Sequence, residues 1–202
     1  VPDPLHWDCE NHVAEAIKVR RSWLDADRLA RNGVAVVPLV KHGTDLHVAH
    51  SSPTQDSDAI DRLWLHECPA APHGIALGVQ SGGLFAIKLS GSYRSRWILS
   101  GARPATLTFL AWADYDVATD TDIGELPKPR YHLAIFRAPE GVRVHPGTIA
   151  KSEHGQVEVI TTGIVPGPGG TLDGLTMVHR HGALLPIAAP QSLIDRIGRG
   201  PK

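Results

Sequence analysis

The chain has 202 residues, 42% hydrophobic and 20% charged, with a formal net charge of −1; that is enough to bury a sizeable core in one compact domain, or a domain with a small appendage. The charge excludes a domain that holds nucleic acid by bulk electrostatics, since counterion release needs a basic surface. No run approaches bilayer length, the start Val1-Pro2-Asp3-Pro4 lacks a basic-then-apolar signal pattern, and two cysteines, Cys9 and Cys68, make no disulfide framework, so the expected location is cytoplasmic.

From Asn11 to Arg31, Val13, Ile17, Trp23 or Leu24, and Leu29 recur at roughly helical spacing. With Asn32-Gly33 as a stop, this predicts one helix or two short ones. Residues 34–40 read as a short buried strand, with Pro38 at its end or on an edge. Residues 41–53 read as a polar loop. Residues 54–68 open on a capping pattern and repeat Ile60, Leu63 and Trp64 at helical spacing, which predicts a second amphipathic helix.

Residues 72–91 carry two apolar runs, 74–79 and 84–89, around Gln80-Ser81-Gly82-Gly83. The pattern predicts a strand, a tight glycine turn and a returning strand, that is, a hairpin. In the second run a period of two puts Phe85, Ile87 and Leu89 on a core face. Ala86, Lys88 and Ser90 fall on a face suited to line a cleft. Beyond it the sequence predicts a short helix at 93–100, a strand at 105–113, an acidic loop at 114–125, and strands at 131–136 and 157–161. A glycine-rich turn region at 163–174, a strand at 176–179 and a closing helix at 191–197 complete the chain. This mixture fits an α/β or α+β sheet domain.

The order of pieces resembles a family. LARNGVAVVPLV, then DAIDRLWLHECP, HGIALGVQSGGLFAIKL, RYHLAIFR, and VEV before a Gly/Pro-rich loop are similar to the N-terminal bifunctional DNA primase/polymerase (prim-pol) domain of the archaeo-eukaryotic primase superfamily. The resemblance implies a sheet with an RNA-recognition-motif-like core flanked by helices, over residues 27–202, preceded by a helical lead-in at 1–26. It also implies a metal-dependent nucleotidyl-transfer site in which two carboxylates on alternate positions of one strand, and a third acidic residue, bind divalent cations. A histidine contacts the incoming nucleotide's phosphates.

The matching positions carry different chemistry. Lys88 and Ser90 stand where the resemblance implies Asp-x-Asp. An ammonium cannot ligate Mg²⁺ and a hydroxyl is a weak neutral ligand. No acidic residue occurs anywhere in 86–91, so a shift of alignment within the strand restores nothing. His132 matches the family histidine, with Lys128, Pro129 and Arg130 in place of small residues before it, and Glu158 matches the third acidic position. The Lys-x-Pro motif expected after the first strand has only Lys41-His42 as a partial echo.

Three readings follow. The first is a catalytically degenerate primase/polymerase-like domain acting in DNA replication or its regulation, in which Lys88, Ser90, His132 and Arg130 or Arg137 bind nucleotide or nucleic-acid phosphates without metal. In that setting Lys88 either meets a phosphate or pairs with Glu158 across neighbouring strands. The second is an active, divergent nucleotidyltransferase using Glu158, His132 and carboxylates such as Asp114 or Asp116 with Mg²⁺ or Mn²⁺. The third is a protein-interaction module. No cofactor is expected under the first or third. A protein partner, or a fused helicase-like region in a longer parent chain, belongs with any of them.

Other clusters read as ordinary surface. His6, Cys9 and His12, with His66 or Cys68, have zinc-ligand types but no standard spacing. Close spacings such as His47 with His50, and His179 with His181, are expected among twelve histidines. Asp114, Asp116, Asp120, Asp122 and Glu125 superficially match a calcium loop, but Ala118 and Thr119 fall where a ligand and the turn glycine are needed. Lys18, Arg20 and Arg21, and Arg94, Arg96 and Arg103, read as solvated basic faces.

Overall fold

The computed structural model describes residues 4–42, 45–48, 52–93, 106–112, 129–172, 174–179 and 183–198. A single helix, α1 (Pro4–Arg31), opens the chain. It runs unbroken through the expected 26/27 boundary; Trp23 packs against the core, and Ala26, Leu29 and Ala30 are buried in it. Asn32-Gly33 ends it as predicted. Gly33 takes φ +70°, and the amides of Asn32, Gly33 and Val34 donate to the carbonyls of Leu29 and Ala30 that the last turn leaves open.

Strands β1 (Val36–His42) and β2 (Asp45–Val48) pair antiparallel, so part of the expected polar loop is strand. The second predicted helix forms as α2 (Ser57–Asp61), capped by Asp56 accepting from the Ala59 amide at 2.7 Å. It widens into a π-helical turn at Arg62–Glu67 that seats both Leu63 and Trp64 in the core. Trp64 Nε1 then donates to the Ala71 carbonyl at 2.9 Å, so the buried indole N–H is satisfied.

The predicted hairpin is corrected by the structure. Strands β3 (His73–Ala76) and β4 (Leu84–Ser90) lie in different sheets, linked only by an isolated bridge between Gly78 and Leu84. All four residues of β3 are buried, and its backbone is already occupied by β1 on one side and β9 (Ile164–Pro166) on the other. The chain changes sheets at Gly78, whose φ of 88° and ψ of −150° suit glycine alone. The apolar runs were strands; their period does not specify partners.

The larger sheet adds β5 (Thr108–Trp112), β6 (Tyr131–Arg137), β7 (Gly147–Ser152), β8 (Gly155–Ile160), β10 (Thr171–Leu172) and β11 (Leu175–His179). Its order is β10-β11-β5-β6-β4-β8-β7, with β12 (Ile187–Ala188) parallel to the end of β6. The smaller sheet is β2-β1-β3-β9. Strands β9 and β10 fall in the region expected to be only turns. The helix α3 (Gln191–Gly198) closes the described chain. Mixed helices and mainly antiparallel sheets make this an α+β fold.

Two cores sit on the two faces of the larger sheet. One joins Ala26 and Leu29 of α1, Trp64, Ile75 of β3 and Val165 of β9 to Ala86, Phe109, Leu133 and Ile135. The other packs Phe85, Ile87, Leu89, Ala134, Phe136, Val157 and Val159 against Ala189 and Leu193. Thus β4 is covered on both sides along most of its length, and Ala86 belongs to a core. Only Lys88 and Ser90, half-buried, reach the edge of that cover. No helix among the described residues is long and apolar enough to cross a membrane.

Candidate functional site

The register of three central strands builds the site. In β4 against β6, Lys88 stands opposite Leu133, Leu89 opposite His132, and Ser90 opposite Tyr131. In β4 against β8, Lys88 stands opposite Glu158 and Leu89 opposite Val157. Residues directly opposite in an antiparallel ladder share a face. Lys88, Ser90, Tyr131 and Glu158 therefore come together on one face.

His132 falls on the other face, with Leu89 and Val157, and is 9% exposed. The sequence-matched histidine and the sequence-matched lysine are not brought together. A one-residue step along a strand separates them by the thickness of the sheet.

Each remaining side chain has a definite setting. The Lys88 ammonium lies 4.4 Å from the centroid of the Tyr131 ring, a cation–π contact. Tyr131 is 4% exposed, and its hydroxyl donates to the Leu172 carbonyl at 3.4 Å. Among the described residues no ion pair joins Lys88 to Glu158, although the ladder sets them face to face and Glu158 is half-buried. The Ser90 hydroxyl accepts from the Gln156 amide at 3.0 Å and donates to the Gln156 carbonyl at 3.4 Å.

A divalent cation does not fit this donor set. One expected carboxylate is an ammonium, and the other is a hydroxyl already engaged by backbone. Among the described residues of this set, Glu158 alone supplies a negative oxygen.

The two arginines part company. Arg130 is exposed in the bend before β6, its amide donating to the Ala111 carbonyl, at the same strand end as Tyr131. Arg137 lies at the opposite end of β6, across from Leu84. Its guanidinium donates to the carbonyls of Ser81 at 2.9 Å, Gly82 at 3.5 Å and Asn32 at 3.0 Å. Arg137 ties β6 to the glycine turn and to the end of α1, so it is structural and remote from Lys88.

A wide groove of about 910 Å³ lies at that far end of β4, bordered by Val79, Phe85, Val142, Arg143, Thr162 and Ile164. None of Lys88, Ser90, His132 or Glu158 lines it. A buried titratable group also escaped notice in the sequence. His73, 5% exposed at the start of β3, is pushed down to about 4, first by burial, with Arg28 and His179 acting the same way and Asp25 opposing.

Tyr131 was legible in hindsight, because 131, 133 and 135 form one period-two face of a run that the sequence already marked as a strand. The expected helix at 93–100, Arg94, Arg96, Arg103, the acidic loop at 114–125, His50 and His181 lie outside the described residues. So do the side chains of His6, Cys9, His12, Lys41, His42 and His47. Comparison with models of known protein families gives no match, and comparison with curated proteins gives none.

Proposed function

We propose that the chain is a primase/polymerase-like domain that has lost polymerisation and binds a nucleotide or nucleic-acid phosphate without a metal ion, in DNA replication or its regulation. The observation that carries the proposal is the placement of the Lys88 ammonium over the Tyr131 ring and directly across the ladder from Glu158, at a position where the resemblance implies a metal-binding carboxylate. An ammonium at that place supplies the positive charge that a divalent cation supplies in an active site. Tyr131 beneath it and Ser90 beside it hold the strand end, and Arg130 stands at the same end as a second cation.

The charge balance sets the expected strength. Lys88 and Arg130 against Glu158 leave about one net positive charge at this strand end, so a single phosphate is contacted and affinity is modest. The salt slope for single-stranded DNA is then roughly that of one contact, about −0.7 on a log–log plot. His132, on the opposite face, and Arg137, spent on three carbonyls, take no part.

The test is calorimetric titration of ATP, a deoxynucleoside triphosphate and a short single-stranded DNA, each with Mn²⁺ and with chelator. Binding that survives chelation and weakens at least tenfold in Lys88→Ala supports the reading. Binding that requires Mn²⁺ overturns metal-free recognition and points to the active-enzyme reading. No binding of any of the three overturns ligand recognition and leaves the interaction-module reading.

A further inference from the structure

The groove at the Leu84 end of β4 lies where the chain crosses twice between the sheets. It leaves the small sheet for the large one at Gly78 and returns through Thr161, Thr162 and Gly163. The crossings touch. The Leu77 amide donates to the Gly163 carbonyl at 2.9 Å, and a Cβ on Gly78 would lie 3.1 Å from the Thr161 carbonyl oxygen. Beside that contact the groove opens, walled by Ala138 and residues 142–146, which follow β6.

Its floor is apolar. Leu77, Leu84 and Phe85 are buried, while Val142, Val144 and Ile164 are half-buried. Val79, 94% exposed, stands on the rim; a nearly bare valine beside an apolar floor is surface for a ligand to cover. The charged lining has one sign. Arg143 and His145 are its ionisable side chains, and among the described residues no carboxylate lines it. Gln80, Thr161 and Thr162 add uncharged donors. Among the described residues the side chains of Arg143, His145, Gln80 and Thr162 have no hydrogen-bond or ion-pair partner. Arg137 at the same strand end spends its donors on backbone; those of Arg143 are open.

We propose that this groove binds an organic monoanion, with an apolar ring-sized body on the floor and one carboxylate or sulfonate group on the Arg143 guanidinium. The occupant is named by charge complementarity and size. The groove's volume, about 910 Å³, falls in the range of roughly 300 to 1,000 Å³ typical of small-ligand sites. One permanent cation matches one anionic group, and a guanidinium fork takes two of its oxygens at once. An acidic peptide or a polynucleotide would call for a row of cations, and the described lining holds a single arginine. The site is separate from the Lys88 end of β4 and does not depend on the phosphate reading.

Two fluorescent dyes titrated into the whole chain test it: anilinonaphthalene sulfonate, which has a fused-ring body and one sulfonate, and N-phenylnaphthylamine, the same body without the charge. The wild-type chain is expected to bind one sulfonate dye, at least tenfold tighter than the neutral dye, and excess ATP should leave it bound. Arg143→Glu, at an exposed position, is expected to weaken the sulfonate dye at least tenfold and to leave the neutral dye unchanged. Thr162→Trp, also at an exposed position, narrows the groove and is expected to weaken both dyes. Circular dichroism confirms that each variant keeps its fold. Failure of the sulfonate dye to bind, equal affinity for the two dyes, displacement by ATP, or unchanged binding in Arg143→Glu would each overturn the inference. So would several dyes per chain that persist in Thr162→Trp, the mark of a loosened chain.

Discussion

The two ends of β4 each have a cation on or beside the strand, Arg137 at one and Lys88 at the other, and they use it differently. At the Leu84 end, Arg137 reaches across from β6 and spends its donors on the carbonyls of Ser81, Gly82 and Asn32. At the Ser90 end, Lys88 rests on the Tyr131 ring with Glu158 across the ladder. A guanidinium with five fixed donors suits a junction where three backbone carbonyls converge; a flexible ammonium suits a place where the charge itself matters. Cations near a sheet are therefore not interchangeable candidates for ligand binding. What separates them is the chemistry each cation meets: three backbone carbonyls for Arg137, an aromatic face and a facing carboxylate position for Lys88.

The largest expected effect comes from the backbone that fixes the Lys88 end. Gly91 takes φ +58°, and a Cβ there would lie 1.6 Å from the His154 carbonyl oxygen. The Ser92 amide donates to that same oxygen. Gly91→Ala is expected to cost roughly 3 to 4 kcal/mol, from overpacking plus a left-handed residue with a side chain. Urea denaturation reads it, and an unchanged midpoint would mean that β4 and the β7–β8 turn are not held together here.

A second perturbation acts on the small sheet and leaves both ends of β4 intact, which makes it the reference. His73 is held near 4, against about 6.5 when unfolded. Between those values the unfolded chain binds the extra proton, so stability is constant above pH 6.5 and falls as pH drops toward 4. The loss is on the order of 3 kcal/mol. Thermal denaturation at successive pH values should show this slope in the wild type and a flatter profile in His73→Leu.

Arg137→Ala comes next, at about 2 kcal/mol for charge-assisted bonds to carbonyls left unpaired. It should lower the urea midpoint and leave triphosphate binding unchanged. Lys88→Ala is expected to do the reverse, shifting stability by less than about 1 kcal/mol, since a partly exposed cation–π contact contributes little, while weakening phosphate binding. If both variants lost stability equally, the contrast between the two ends would be broken.

The sequence made most of the elements legible because apolar period is local. The first helix with its Asn32-Gly33 stop, the strand at 131–136 and the closing helix all follow from spacing and end signals. Pairing was not legible. The runs around Gln80-Ser81-Gly82-Gly83 read as a hairpin, yet Gly78 sends the chain into a second sheet, and the partners of β3 come from 36–38 and 164–166. Strand β7, with exposed and half-buried residues, shows too weak an alternation to be seen.

The site was half legible for the same reason. Lys88 and Glu158 were matched from sequence and do stand opposite each other. His132 was matched from sequence too, but whether a residue faces one core or the other depends on register, and register is set by tertiary pairing. Arg137 gave no local sign that three distant carbonyls would claim it.

The most direct test of the account is a paired titration of a deoxynucleoside triphosphate, with chelator present, into Lys88→Ala and His132→Gln. The predicted result is at least tenfold weaker binding in the first and wild-type binding in the second, because only the Lys88 face meets the phosphate. Wild-type binding by Lys88→Ala, or an equal loss in His132→Gln, would contradict it.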